Sequence, residues 1–99
     1  MRVVFRPEAR ADALEARDWY EVRAASLGVE FVKALDAAIA AAAGNPKAFV
    51  AVEGEFRRVI LRKFPYSLIF RTDVRGMIVF AVFHHRRHPH SWSRPSGAL

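Results

Sequence analysis

The sequence contains no cysteine, which excludes a disulfide framework and any thiolate metal site and suits a reducing compartment. Long apolar runs are also missing. A membrane span needs about 20 consecutive apolar residues, and the alanine run around Ala40 to Ala43 falls far short of that. The opening stretch MRVVFRPEAR sets Val3, Val4 and Phe5 together before charge and proline intervene, too little for a signal-peptide core. The expectation is a soluble, cytoplasmic protein. Nothing resembles a nucleotide-binding glycine loop, a Ser-His-Asp arrangement or a paired-carboxylate site. Four histidines with no cysteine and no obvious carboxylate partner match no zinc spacing. No metal or cofactor is expected.

Acidic residues are scarce in one half of the chain. Residues 55–99 carry nine Lys/Arg against Glu55 and Asp73, whereas residues 1–54 carry seven against eight. The net charge of +6 is therefore gathered in the C-terminal half, a footprint suited to nucleic acid or an acidic protein. With 99 residues the chain fits a single domain, expected over 1–94 with a flexible tail at 95–99. At this size the stability to expect is on the order of 5–15 kcal/mol, so a partner can matter to it.

The spacing of apolar residues predicts an α+β fold. Arg2 to Arg6 is a short β-rich run ended by Pro7, which fits the first position of a helix. From Pro7 to about Ser26, Ala9, Ala13, Ala16, Tyr20 and Ala24 recur at helical spacing, and Gly28 is read as the left-handed residue that closes this helix. A second helix is predicted from about Val29 to Ala43, with Phe31, Val32, Leu35, Ile39 and Ala42 on one face, ended by Gly44-Asn45-Pro46. The short link makes the pair an antiparallel αα-hairpin. After a loop through Glu53-Gly54, β-branched and aromatic runs predict strands at Phe56 to Phe64, Tyr66 to Thr72 and Met77 to His84, joined as an antiparallel meander. The last is apolar on both faces and is expected centrally in the sheet, with the N-terminal strand joining. His85 to Leu99 reads as loop.

Cationic side chains concentrate in two segments. Alternation in the strand from Phe56 places Arg58 and Arg62 on one face and Arg57 and Lys63 on the other. These either clamp a phosphate or carboxylate bidentately or extend over the sheet edge to water. The run His84-His85-Arg86-Arg87-His88-Pro89-His90 follows the last strand. There His84, His88 or His90 has the chemistry of a general acid or base, with arginines to stabilise developing phosphate charge; a solvated basic tail is the plainer reading. Tyr66 and Trp92 can stack on a nucleobase or pack on the sheet. Trp19 and Tyr20 point different ways from the first helix, one toward the core and one to its margin. Asp12, Glu15, Asp18 and Glu21 read as a solvated helix face.

Asp18-Trp19-Tyr20-Glu21, Leu27-Gly28 with Phe31, Asn45-Pro46, Phe56-Arg57-Arg58, Phe64-Pro65-Tyr66, and Phe83-His84 followed by Arg86-Arg87 and Pro89 together resemble the ParE branch of the RelE/ParE toxin superfamily. The likeness runs from Val3 to about Arg94. It implies a β-αα-βββ fold and the toxin of a type II toxin–antitoxin system of the plasmid-stabilisation kind, neutralised by a cognate antitoxin in a hetero-oligomeric complex. In the ParE branch the implied target is DNA gyrase, inhibited without chemistry of the toxin's own so that growth arrests. The alternative implied by the RelE branch is ribosome-dependent endonucleolytic cleavage of mRNA. The candidate target- or antitoxin-binding residues are Arg57, Arg58, Arg62, Lys63, Tyr66, Arg86, Arg87 and Trp92. For a ribonuclease the catalytic candidates are Arg58, His84, Arg87 and His88.

Overall fold

A computed structural model describes residues 1–87. Its elements are β1 (Val3–Phe5), α1 (Pro7–Arg23), α2 (Leu27–Gly44), a 3-10 turn at Pro46–Ala48, β2 (Ala51–Glu53), β3 (Phe56–Ile60), β4 (Tyr66–Asp73) and β5 (Gly76–His84). The strands form one sheet in the order β1-β5-β4-β3-β2. β1 runs parallel to β5, and the remaining pairs are antiparallel. The helical hairpin connects β1 to the meander and covers one sheet face, giving the expected α+β architecture. β5 is paired on both sides, as its apolar run requires, although the middle strand of the five is β4. His88, Pro89, His90, Trp92 and the expected tail at 95–99 lie outside the described residues.

α1 begins at Pro7, with Glu8 in its first turn and Arg23 in its last, both favourably placed for the helix dipole. It buries Ala9, Ala13 and Ala16, and α2 answers with Gly28, Phe31, Leu35, Ala38 and Ala42. Small side chains on both helices bring the backbones close. A Cβ at Gly28 would stand 2.7 Å from the carbonyl oxygen of Arg17. This corrects the role read for Gly28. It is buried in the first turn of α2, and the left-handed residue between the helices is Ser26, at φ 72°. α1 accordingly stops at Arg23 rather than near Ser26, and α2 starts at Leu27 rather than Val29. Glu21 makes the junction possible, because its carboxylate accepts the backbone N–H of Ser26 at 3.0 Å and of Gly28 at 2.9 Å. The preceding helix thereby supplies the acceptor that a first helical turn needs.

Two differences in the strands shape the rest of the molecule. The strand predicted to reach Phe64 ends at Ile60, because Lys63 takes φ 69° and the chain turns there. Arg58 and Arg62 therefore do not share a strand face. Leu61 N–H still reaches Tyr66 O at 2.9 Å, closing the turn, while Leu61 and Phe64 are buried. β2 is an additional short edge strand where a loop was expected, with an irregular register against β3.

In β5 the pairing steps from Ile69↔Ala81 to Phe70↔Val79 and leaves Phe80 as the extra residue of a bulge. Val79 and Val82 consequently both face the helices, in the main core with Phe31, Phe70 and Met77. Phe80, Ala81 and Phe83 join Ile69 and Phe56 in a second cluster on the other side of the sheet. No described helix covers that side. At the far end, Gly76 has φ 139°, and a Cβ there would collide with the carbonyl of Arg2, which accepts Met77 N–H at 2.7 Å.

The tight helix contact predicts unequal glycine substitutions. Gly28→Ala should lose about 1–3 kcal/mol by overpacking against Arg17. Gly44→Ala, whose Cβ would meet nothing within 4 Å, should be neutral or gain no more than about 1 kcal/mol. Urea denaturation of both variants beside the wild type provides the measurement.

Candidate functional site

The N-terminal end of β4 and the C-terminal end of β5 meet the flank of α1 in an open cleft of about 350 Å³. Trp19 and Tyr66 line it on the aromatic side, Asp12 and Glu15 on the acidic side, and His84 and Arg87 on the basic side, with Arg86 beside them. α1 brings Asp12, Glu15 and Trp19 to one flank because they recur at spacings of three and four. Of the expected binding residues, Tyr66, Arg86 and Arg87 therefore come together, and His84 joins them.

The cleft is electrostatically mixed. Burial raises the Asp12 carboxyl above the ordinary aspartate range; Arg87 works against that rise, while Glu15 and Glu8 add to it. Arg87 Nη2 lies 3.9 Å from Glu15 Oε1 with both side chains largely exposed, so the pair adds little stability. The Tyr66 hydroxyl is raised by burial first and by Tyr20 second, so it is a neutral phenol that donates or accepts a hydrogen bond rather than a base. His84 packs edge-on against Tyr66 with centroids 5.2 Å apart. Its Nδ1 accepts the backbone N–H of Arg86 at 3.0 Å, which puts the proton of the neutral ring on Nε2. Asp12 and Glu15 belong to this cleft, and Glu21 to the helix junction. Glu15, Asp18 and Glu21 are exposed, as a solvated face requires, while Asp12 is half-buried.

The other candidates lie elsewhere. Arg57 is half-buried and its Nη1 donates to Phe49 O at 2.7 Å, latching the segment after α2 to β3. Arg62 and Lys63 are exposed and stand with Lys33 at the rim of a second groove, about 560 Å³, between α2 and β3. Its floor includes Ala34, Ala38 and Phe64. Arg58 occupies the uncovered side of the sheet, where its Nε donates to Ser67 Oγ at 3.0 Å; that hydroxyl also bonds His85 Nε2 at 2.9 Å. The ribonuclease candidates are thus divided, Arg58 on one side of the sheet, His84 and Arg87 in the cleft on the other. His88 and Trp92 fall outside the described residues.

Ser67 and His85 were not singled out from the sequence. Ser67 is the one buried polar residue among the described residues. A hydroxyl within the apolar run Tyr66 to Phe70 was the available signal, since a buried hydroxyl requires a partner. His85 sits in the basic run and was passed over for its neighbours. Among the described residues no group of three or more His, Asp or Glu is placed to hold a metal, and no helix is long and apolar enough to cross a membrane.

A helical hairpin thus lies across a mixed five-stranded sheet, with the electrostatically mixed cleft at one margin and the groove rimmed by Lys33, Arg62 and Lys63 at the other. The sequence profile of the family described as ParE toxin of type II toxin–antitoxin system, parDE, matches residues 3–89, and the chain belongs to that family. No curated protein matches it.

The raised Asp12 carboxyl has a consequence for pH. A folded-state value above the unfolded one means that folding favours the protonated acid, so Asp12 costs stability as pH rises above the ordinary aspartate value of 3.8. Asp12→Asn should melt higher than the wild type at pH 7, and the difference should vanish near pH 3. Thermal melts of both proteins across that range test it.

Proposed function

We propose that this toxin arrests growth in the cytoplasm by inhibiting DNA gyrase and is held inactive in a hetero-oligomer with a cognate antitoxin. The observation that carries the reading is the family match over 3–89. The site's geometry supports it. Arg58 is engaged by Ser67 and separated by the sheet from His84 and Arg87, which favours a toxin that binds its target over one that cleaves RNA.

The antitoxin's place in this reading is the groove between α2 and β3. Its small-residue floor admits the apolar face of a helix, and Lys33, Arg62 and Lys63 at its rim attract acidic side chains. The chain uses Arg86 and Arg87, at the opposite margin, toward gyrase.

Expression of the toxin alone should induce a DNA-damage response, and the purified protein should block supercoiling by gyrase; added antitoxin should reverse both. Arg86→Ala with Arg87→Ala should weaken gyrase inhibition at least tenfold while leaving antitoxin binding intact. Full supercoiling at saturating toxin would overturn the reading. New 5′ ends within codons of translated messages would replace it with the ribonuclease alternative.

A further inference from the structure

The side of the sheet away from the helices carries three arginines held by other side chains. Arg58 is fixed through Nε by Ser67, which is fully buried and bonded in turn to His85. The Arg71 guanidinium lies over the Phe80 ring at 5.1 Å and near the Phe56 ring at 5.7 Å. Arg6 lies over Phe80 at 5.0 Å. The two rings meet edge to face at 4.8 Å, and the β5 bulge leaves Phe80 and Ala81 both on this side. All three arginines are half-buried, so their positions are restrained while part of each guanidinium remains accessible. Of the carboxylates near the patch, Asp73 pairs with Arg75, and Glu8, whose Oε2 is 3.4 Å from Arg6 Nη2, is a part-exposed partner that a phosphate must displace from Arg6.

We propose that this face binds the phosphodiester backbone of a nucleic acid, with Arg58, Arg71 and Arg6 each meeting a phosphate. The inference goes beyond the gyrase and antitoxin reading and uses a different surface. Arginine fits phosphate because its planar donor fork matches the oxygens bidentately. Arginine and aromatic residues also suit a protein interface, but here the rings Phe56 and Phe80 already lie under guanidiniums and leave the charges as the outward feature of the face. A polyanion needs only the charges. With its rings so engaged, the face offers no free platform for stacking bases, so it reads the backbone and not the sequence.

The salt dependence of binding distinguishes this face from the protein's general positive charge. Fluorescence anisotropy with a labelled 20-nucleotide single-stranded DNA, the matching duplex and the matching RNA gives the slope of log K against log salt, with no gyrase or antitoxin present. A failure here leaves the gyrase reading standing. Three phosphate contacts contribute about −2.7 to the slope on duplex and about −2.1 on a single strand. Arg58→Gln with Arg71→Gln should therefore make the duplex slope shallower by about 1.8, whereas Lys33→Gln with Arg62→Gln, on the α2 groove, should leave it unchanged. Arg58→Lys keeps the charge but loses the Nε–H held by Ser67; it should weaken binding roughly 2- to 10-fold at an unaltered slope. Circular dichroism confirms that each variant folds. The tightest of the three probes identifies the source of the phosphates. An unchanged slope in the Arg58, Arg71 double variant overturns the proposal. So does displacement of the duplex by polyglutamate at equal charge, which would make this an acidic-protein surface.

Discussion

Phe31 is fully buried where both helices meet the turn between β3 and β4, and its ring touches three others. Tyr20 stacks on it at 5.5 Å, while Phe64 and Tyr66 meet it edge-on at 5.3 and 5.1 Å. One aromatic knot thus ties α1, α2 and the sheet together, and ring pairs of this kind contribute about 0.5–1.5 kcal/mol each beyond the area they bury. The helices are otherwise faced with alanine, which packs closely but buries little. In a domain this small the knot supplies much of what alanine cannot. It also sets the site, because Tyr66 belongs both to the knot and to the cleft, where His84 leans on its ring.

The same economy appears at the helix junction. Glycine at position 28 lets α2 touch the backbone of α1, and the contact is aligned by the carboxylate of Glu21, which accepts two amide protons from the turn. A side chain of α1 therefore terminates its own helix and starts the next. The bond networks in the sheet are comparably local. Arg57 latches the segment following α2, and Ser67 holds Arg58 in place. Each of these fixes a charged residue by spending part of its hydrogen-bonding capacity, so that Arg57 and Arg58, adjacent in sequence, are anchored on opposite sides of β3.

Much of the fold was legible because its signals are periodic. Alanines at spacings of three and four, Pro7 at a helix start and the apolar run Met77 to Phe83 each specify an element through a local preference. What escaped the sequence was what depends on one backbone angle or one extra residue. Ser26 and Lys63 both adopt left-handed conformations, which non-glycine residues seldom do, so the helix junction was assigned to Gly28 and β3 was drawn four residues too long. The bulge at Phe80 is equally silent, since an apolar residue on either side of a strand leaves the pattern unchanged. For the site, the basic segment after β5 and Tyr66 were readable as candidates. Asp12 and Glu15 were not, because a carboxylate on a helix reads as solvated until the sheet's end is known to lie against it.

The clustering of positive charge in the C-terminal half is real along the chain and largely dissolves in space. Arg62 and Lys63 stand at the α2 groove, Arg86 and Arg87 at the α1 cleft, and Arg58 with Arg71 on the far side of the sheet, where Arg6 from the acidic half joins them. The Debye length is about 8 Å at physiological salt, so screening weakens the coupling between exposed charges that point from opposite sides of the sheet. The near-neutral N-terminal half is not a passive scaffold either. It contributes Lys33 to one group, Arg6 to another, and to the third the carboxylates of Asp12 and Glu15, which oppose the arginines directly. Each surface then has its own balance of sign and its own apolar floor, and a partner that complements one of them gains little from the other two. Net charge draws acidic molecules toward the protein in general; the sheet, by dividing that charge, determines which of its faces each can use.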